Sequence, residues 1–315
     1  MLKLFANLVA CLVLIAPLGV AVAALARINH PAADLMVQFS APALVATLAL
    51  TLAVLALRLY PAVGAGVVVS LMLVAANWPQ WVPQSVPQTS APDSQQSLTL
   101  YNANLWVLNE DMEALTRSIA EADADILVLV ELGQRAREQA DQLFAAYPHR
   151  LYAGRGDHPT KSAILSRYPL TPIQGDKHHE TVAAVAQTPL GPISLIGAHL
   201  TRPWPYHPPE AQVEQAQKLA ELRQTIEGPL VMAGDFNAVS HGRIGRQIKE
   251  QMGLIPAPAL LGTFPQKLPS PLNITLDQVW HTPDISLSER RLGRANGSDH
   301  RPVIVRFSPA APRQP

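Results

Sequence analysis

Charge is scarce in this chain. Charged residues make up 15% of its 315 positions, against about 25% in an average soluble domain. The shortfall is local: from Leu4 to Trp78 there is almost no charge, whereas after Ser97 the composition is that of an ordinary globular domain. That split predicts a membrane part followed by one soluble domain of about 210 residues, long enough for a single large core. The formal net charge is +0, so composition shows no sign of the basic face that nucleic-acid-binding domains usually carry. Cysteine is nearly absent. Cys11 stands alone, inside the first apolar run, which leaves the soluble part without a disulfide framework or a thiolate zinc site.

The apolar residues are concentrated in three N-terminal runs, at about 4–26, 41–59 and 62–78. A membrane span needs about 20 residues. The first two runs suffice; the third is short unless Tyr60 and Trp78 anchor its ends at the interfaces. Pro61 is expected to make the turn between the second and third. Residues 1–79 therefore read as a three-pass membrane region. Lys3 and Arg58 fall on one side of it and Arg27 on the other. Because cytoplasmic loops are enriched in Lys and Arg, this count places the N-terminus in the cytoplasm and the soluble domain across a bacterial inner membrane, on the periplasmic side. Residues 80–96, with Pro83, Pro87 and Pro92, read as a linker, 97–309 as the soluble domain and 310–315 as a tail.

Within the domain, strands are expected at Ser97–Asn104, Ile126–Val130, Ser162–Ser166, Thr181–Thr188, Ile193–Leu200, Leu230–Ala233, Ile274–Trp280 and Val303–Phe307. Helices are expected at Asn109–Ala124, with Asn109 as N-cap, at Leu132–Ala146 and at Pro208–Ile226. Strands and helices mix without strict alternation, which favours a layered α/β sandwich over a parallel barrel.

Polar residues recur where these strands end: Asn104, Glu131, His199, Asp235 with Asn237, Asp277, and Asp299 with His300. Each alone has an ordinary reading as a cap, an Asx-turn or a loop acid. Together they put carboxylates, imidazoles and amides at what would be one rim of a sheet, where open α/β folds place ligands. Mg²⁺ prefers carboxylate and amide oxygens, so Glu131, Asp299 and Asn104 are candidate ligands. Asp235 is the candidate base for a water, Asn237 and His199 are candidate donors to phosphate oxygens, and Asp277 is placed to hold His300.

The ordered series Asn104, Asp125-Ile126-Leu127-Val128-Leu129-Val130-Glu131, Ala163-Ile164-Leu165-Ser166-Arg167-Tyr168-Pro169, Ala198-His199-Leu200, Gly234-Asp235-Phe236-Asn237 and Ser298-Asp299-His300-Arg301-Pro302 resembles the endonuclease/exonuclease/phosphatase, or DNase I-like, superfamily. Members with a few N-terminal membrane spans look most similar. The resemblance implies a four-layer α/β sandwich and a hydrolase dependent on Mg²⁺ or Mn²⁺. It implies that Glu131 is the principal metal ligand, with Asn104 and Asp299 supporting it. It makes Asp235 the group that activates water, Asn237 a phosphate binder, His300 a phosphate contact or proton donor paired with Asp277, and His199 a second catalytic histidine. Three places depart from the family pattern: Leu276-Asp277-Gln278-Val279-Trp280 keeps the acid in an altered strand sequence, Lys161-Ser162 stands where glycine is common, and Thr201-Arg202-Pro203-Trp204-Pro205-Tyr206-His207-Pro208-Pro209 reads as either a stiff aromatic lip or a proline-rich surface turn. His178-His179 reads as loop.

The expected function is a membrane-anchored phosphodiesterase or phosphomonoesterase acting on a lipid headgroup, a small ester or nucleic acid. A DNase I-like nuclease and a catalytically inactive membrane binding protein on the same fold are the alternatives. The bilayer is an expected partner; no protein partner is inferred.

Overall fold

The computed structural model describes residues 1–83, 97–153, 162–173 and 181–310. Among these residues the strands form two six-stranded sheets. The first contains β1 (Leu98–Asn104), β2 (Ile126–Val130), β3 (His149–Tyr152), β4 (Ala163–Ser166), β11 (Ile285–Leu292) and β12 (Val303–Pro309), in the order β11-β12-β1-β2-β4-β3. The second contains β5 (Leu170–Pro172), β6 (Thr181–Thr188), β7 (Gly191–His199), β8 (Leu230–Asp235), β9 (Ile255–Pro256) and β10 (Asp277–His281), in the order β5-β6-β7-β8-β10-β9. Each sheet is antiparallel except for one central parallel pair, β1 with β2 and β7 with β8.

Alternation along these strands decides the layers. Leu98, Leu100, Ile126, Val128, Leu195, Val231, Val279, Val303 and Val305 point between the sheets and form the central core. The opposite face of the first sheet, with Tyr101, Leu127 and Leu129, is covered by α6 (Met112–Ala122) and α8 (Ala140–Leu143). That of the second, with Ile196, Met232 and Trp280, is covered by α9 (Pro209–Gln224) and α10 (Arg243–Met252). Helix, sheet, sheet and helix make the expected four-layer sandwich.

The N-terminal residues form α1 (Leu2–Val13), α2 (Ile15–Leu25), α3 (Pro31–Gln38), α4 (Ser40–Ala56) and α5 (Tyr60–Trp81). By length and composition, Leu2–Leu25 and Tyr60–Trp81 are each long and apolar enough to cross a membrane, and α3 with α4, bent by 58°, would make a third crossing. The short third run is thus the middle of a 22-residue helix, while the second is long enough to cross only as a bent pair. The chain turns between α4 and α5 at Arg58, in the left-handed region at φ 57°. Pro61 lies in the first helical turn that follows, where its missing N–H costs nothing, and so does not make the turn.

These helices are packed on the sandwich. Ala23, Ala24, Ala33, Val37 and Ala76 share one apolar cluster with Val239 of the domain. Gln80 on α5 accepts through its backbone carbonyl from the Ala259 N–H at 2.9 Å. Arg243 at the start of α10 pairs with Asp34 at 2.5 Å. At the other end, Ala10 packs with Val54, Leu59 and Ala62. The end of α2, the start of α4 and the end of α5 therefore meet the domain, and the start of α1 lies away from it.

Other boundaries move for local reasons. The first domain helix begins at Met112 because Asp111, not Asn109, accepts the Ala114 N–H at 2.8 Å. Asn109 accepts from Asp111 N–H in an Asx-turn instead. The segment expected to be helical through Ala146 breaks into α7 (Gln134–Glu138) and α8. Most of the expected linker and tail, together with Lys161 and His178-His179, lies outside the described residues.

His241 links sandwich and helices and yields a stability prediction. It is buried, its Nε2 lies 3.0 Å from Ser40 Oγ, and Ser40 in turn donates to Asn77 Oδ1 at 2.9 Å. This order of donors assigns the Nε2–H tautomer. Burial, aided by Arg246, lowers its pKa to about 4. A group whose folded pKa lies below its unfolded value of about 6.5 loses its stabilising contribution as pH falls between the two, here about 3 kcal/mol in all. Melting of the full chain followed from pH 7.5 to 4.5 should therefore fall more steeply for the wild type than for His241→Gln, which does not titrate. Parallel curves would remove this histidine as the cause.

Candidate active site

Topology brings the polar strand ends together. β1, β2, β7 and β8 are oriented so that Asn104, Glu131, His199 and Asp235 all emerge at one rim, and His199 is in register with Asp235. β10 runs antiparallel to β8 and starts at Asp277, in register with Asp235. β12 runs antiparallel to β1, so the loop carrying Ser298, Asp299 and His300 enters at the same rim. Asn104, Asp235 and Asp277 each continue an alternating series that faces the space between the sheets (Leu100 and Asn102; Val231 and Ala233; Val279). The inward position nearest the rim is polar on each of these strands, where those farther from it are mostly apolar.

The contacts are short. Asn104 Nδ2 donates to Glu131 Oε1 at 2.9 Å and to Asp235 Oδ2 at 3.0 Å. His199 Nε2 lies 3.4 Å from Glu131 Oε1 and 4.0 Å from Asp235 Oδ2. His300 Nε2 approaches the same Asp235 oxygen at 3.9 Å, and its Nδ1 bonds Asp277 Oδ2 at 2.7 Å. Asp235 and Asp277 are 1% and 0% exposed, so neither carboxylate has water to offset its charge. Burial by itself would lower the His300 pKa, but Asp277, and after it Asp235, raise it to about 10. Burial also raises the Asp277 pKa, and the charge of His300 opposes that rise. Phe264 packs on the His300 ring at a centroid distance of 4.7 Å.

The turn after β8 is built for this rim. Gly234 has φ 153°, and a Cβ there would sit 1.7 Å from the Ala198 carbonyl oxygen, so no other residue fits where β8 approaches β7. Asn237 takes the left-handed conformation at φ 45°, which asparagine tolerates better than most residues. Its backbone N–H donates to Asp235 Oδ1 at 2.8 Å and fixes that carboxylate. Its Nδ2 donates to the Leu200 carbonyl at 2.9 Å and faces Asp235 Oδ2 at 3.5 Å. Glu131 also has a positive φ, 53°; a strained backbone at a polar cluster is a mark of functional sites.

The donor set suits a hard cation. Ligand atoms of Glu131, His199 and Asp235 lie within 4.8 Å of one another, as do those of Asp235, Asp277 and His300. The second group is committed internally by the His300–Asp277 bond. The first presents two carboxylates to one point, the chemistry Mg²⁺ and Mn²⁺ prefer. Asn104 turns its amide nitrogen toward both acids while Oδ1 accepts from Trp106 N–H at 2.8 Å, so ligation through that oxygen requires the amide to turn. Asp299 is half-buried beside Ser298 and belongs to neither compact group, whereas Asp235 belongs to both.

Several residues here carry no motif. Thr263 Oγ1 accepts the Asp277 N–H at 3.2 Å, and Asn102 Nδ2 crosses between the sheets to the Gly234 carbonyl at 3.2 Å. Asn102 had one signal, its spacing of two from Asn104 on a strand. The glutamines around the Asp235–Ala238 turn had none: Gln212 reaches the Asn237 carbonyl at 3.0 Å, Gln278 reaches that of Ala238, and Gln38 on α3 reaches that of Asn237 at 2.9 Å. Arg301 points away, to the Gly293 carbonyl at 2.7 Å. In the aromatic lip, Trp204 and Tyr206 are exposed.

The family model described as "Endonuclease/Exonuclease/phosphatase family" matches residues 101–300. A sequence comparison with curated proteins finds no match. Solved structures share the fold. An endonuclease/exonuclease/phosphatase from Bacteroides vulgatus is 14% identical, covers 68% of this chain and 99% of its own, and superposes with a TM-score of 0.59. One from Beutenbergia cavernae is 16% identical over 69% of this chain and 72% of its own, at a TM-score of 0.51. The 3′ phosphatase NExo from Neisseria, solved with a product DNA hairpin, is 20% identical over 66% and 98%, at 0.53.

Proposed function

The chain belongs to the endonuclease/exonuclease/phosphatase family, and from that premise we propose that it is a membrane-anchored phosphoesterase dependent on a divalent metal, in which water attacks phosphorus in line. The observation that carries this reading is the meeting of Glu131, His199 and Asp235 at one rim, backed by the Asp277–His300 pair. Glu131 holds the cation, with Asn104 and Asp299 in support. Bound there, Mg²⁺ or Mn²⁺ supplies positive charge against the phosphate oxygens. Asp235, fixed by the Asn237 N–H, accepts the proton of the attacking water. His199 and Asn237 donate to oxygens on which charge develops. Asp277 holds His300 for proton donation.

The anchor is residues 1–79 read as three crossings, and the catalytic domain is 97–309. Three antiparallel crossings leave Met1 and the domain on opposite faces, and Lys3 with Arg58 against Arg27 puts the domain on the periplasmic side of a bacterial inner membrane. A phosphate at the bilayer surface, in a lipid or envelope component, is the substrate this arrangement favours, because the turn carrying Asp235 lies one hydrogen bond from α3. A net charge of +0 gives no overall excess of positive charge to attract a long polyanion.

The test uses the full chain in detergent micelles with Mg²⁺, Mn²⁺ or EDTA, against bis-p-nitrophenyl phosphate, p-nitrophenyl phosphate, plasmid DNA and phospholipid vesicles. Turnover is expected to require metal and to be greatest on the vesicles. Preferred cleavage of plasmid DNA would replace the lipid reading with the nuclease one. A folded chain inactive on all four substrates with both metals would count against an enzyme.

A further inference from the structure

The helices are more than a tether: resting on the functional reading above, we propose that Gln38, on membrane-proximal helix α3, is a positioning residue of the hydrolytic site. Its Nε2 donates to the Asn237 carbonyl at 2.9 Å, and both groups are buried. The Asn237 peptide is the part of the chain that aims the catalytic groups. Its N–H holds Asp235 Oδ1 at 2.8 Å and its side chain faces Asp235 Oδ2.

Satisfying a buried carbonyl does not require Gln38. Gln212 on α9 already donates to the same oxygen at 3.0 Å, and one donor removes most of the penalty of burying it. What Gln38 adds is a second direction of restraint, from an element outside the sandwich, on a turn held in left-handed geometry. That restraint rests on a firm base. Val37 packs with Val239, Ser40 bonds His241, and Asp34 pairs with Arg243. The stretch from Asn237 to Arg243 is thus a platform on which α3 and the start of α4 are seated, with Asp235 two residues before it. Displacements of about 1 Å at reacting groups can lower rates about 10²-fold; loss of one of two restraints should have a smaller effect, on the order of tenfold.

The experiment measures kcat, KM and metal half-activation on bis-p-nitrophenyl phosphate for the full chain in micelles, comparing wild type, Gln38→Leu, Gln38→Met, Asn237→Ala and the double variant Q38L/N237A. Both Gln38 changes keep the volume and remove the donor. The expected result is kcat lowered about tenfold, with KM and metal half-activation within about twofold and melting unchanged. In the N237A background, where alanine relaxes the left-handed turn, Q38L should cost less than about twofold more, because both changes act through one peptide. Wild-type kcat in a folded Q38L or Q38M, or full additivity with N237A, would overturn the proposal. So would failure of both Gln38 variants to fold, which would make the residue structural. Absence of metal-dependent turnover in the wild type would instead overturn the functional reading, and this inference with it.

Discussion

Replacing Glu131 with glutamine is expected to abolish metal-dependent hydrolysis while the protein stays folded. Glu131 Oε1 accepts from Asn104 Nδ2 at 2.9 Å and lies 3.4 Å from His199 Nε2. The replacement is isosteric, and its amide oxygen can still accept from Asn104. The Glu131 side chain is 17% exposed, so the exchange breaks no fully buried ion pair and should change stability by about 1 kcal/mol. The effect on function is of another size. A full negative charge is lost from a group in which two carboxylates converge, and a metal ion contributes several kcal/mol to a phosphoryl transition state. A loss of that size corresponds to a rate at least on the order of 10³-fold lower. Turnover is read with Mg²⁺ and Mn²⁺ across a concentration series, and circular dichroism and melting report the fold. If E131Q matched the wild type at the same metal concentration, Glu131 would not be the ligand and the site would have to be redrawn.

The rim could be foreseen because its chemistry is written at strand ends. Ile126–Val130 is an unbroken apolar run that must be buried on both faces, so the acid directly after it, Glu131, has to lie at a sheet edge. The same reasoning places His199 and Asp235, whereas Asp277, inside the expected strand Ile274–Trp280, opens a strand that begins only there. Sequence also separated the apolar N-terminal runs from the sandwich by composition alone. What it did not show are relations between distant segments. Nothing local marks Gln38 as a neighbour of Asn237, nearly two hundred positions away, since a glutamine in an amphipathic stretch has no preferred partner. β11 was missed because Ile285–Leu292 is half-buried and rich in arginine and glutamate, and an edge strand facing solvent has little apolar alternation. α10 was missed because few of its residues are apolar and it is only 10 residues long. The broken helix between Gln134 and Leu143 had periodicity enough for one helix; tertiary packing of Ala136, Leu143 and Phe144 against the first sheet divides it.

The second large effect belongs to His300. Exchange for alanine should lower kcat on the order of 10³- to 10⁴-fold, the range for removing a general acid or base together with a phosphate contact. The stability of this variant needs separate argument. Asp277 is fully buried beside His300, and removing one partner of a buried ion pair costs about 3–5 kcal/mol when the other charge stays. Asp277 need not stay charged: burial raises its pKa, and the imidazolium that opposes this shift is gone in the variant. H300A should therefore be less stable than the wild type and bind a proton on folding, so its melting temperature should recover as pH is lowered toward about 5. The double variant H300A/D277N removes the Asp277 carboxylate as well. It should melt higher than H300A at pH 8, yet be no more active, because the two residues act as one unit. Melting at both pH values separates loss of fold from loss of chemistry. Turnover within tenfold of wild type in a folded H300A, or recovery of activity in the more stable double variant, would show that His300 supports the sandwich rather than the reaction.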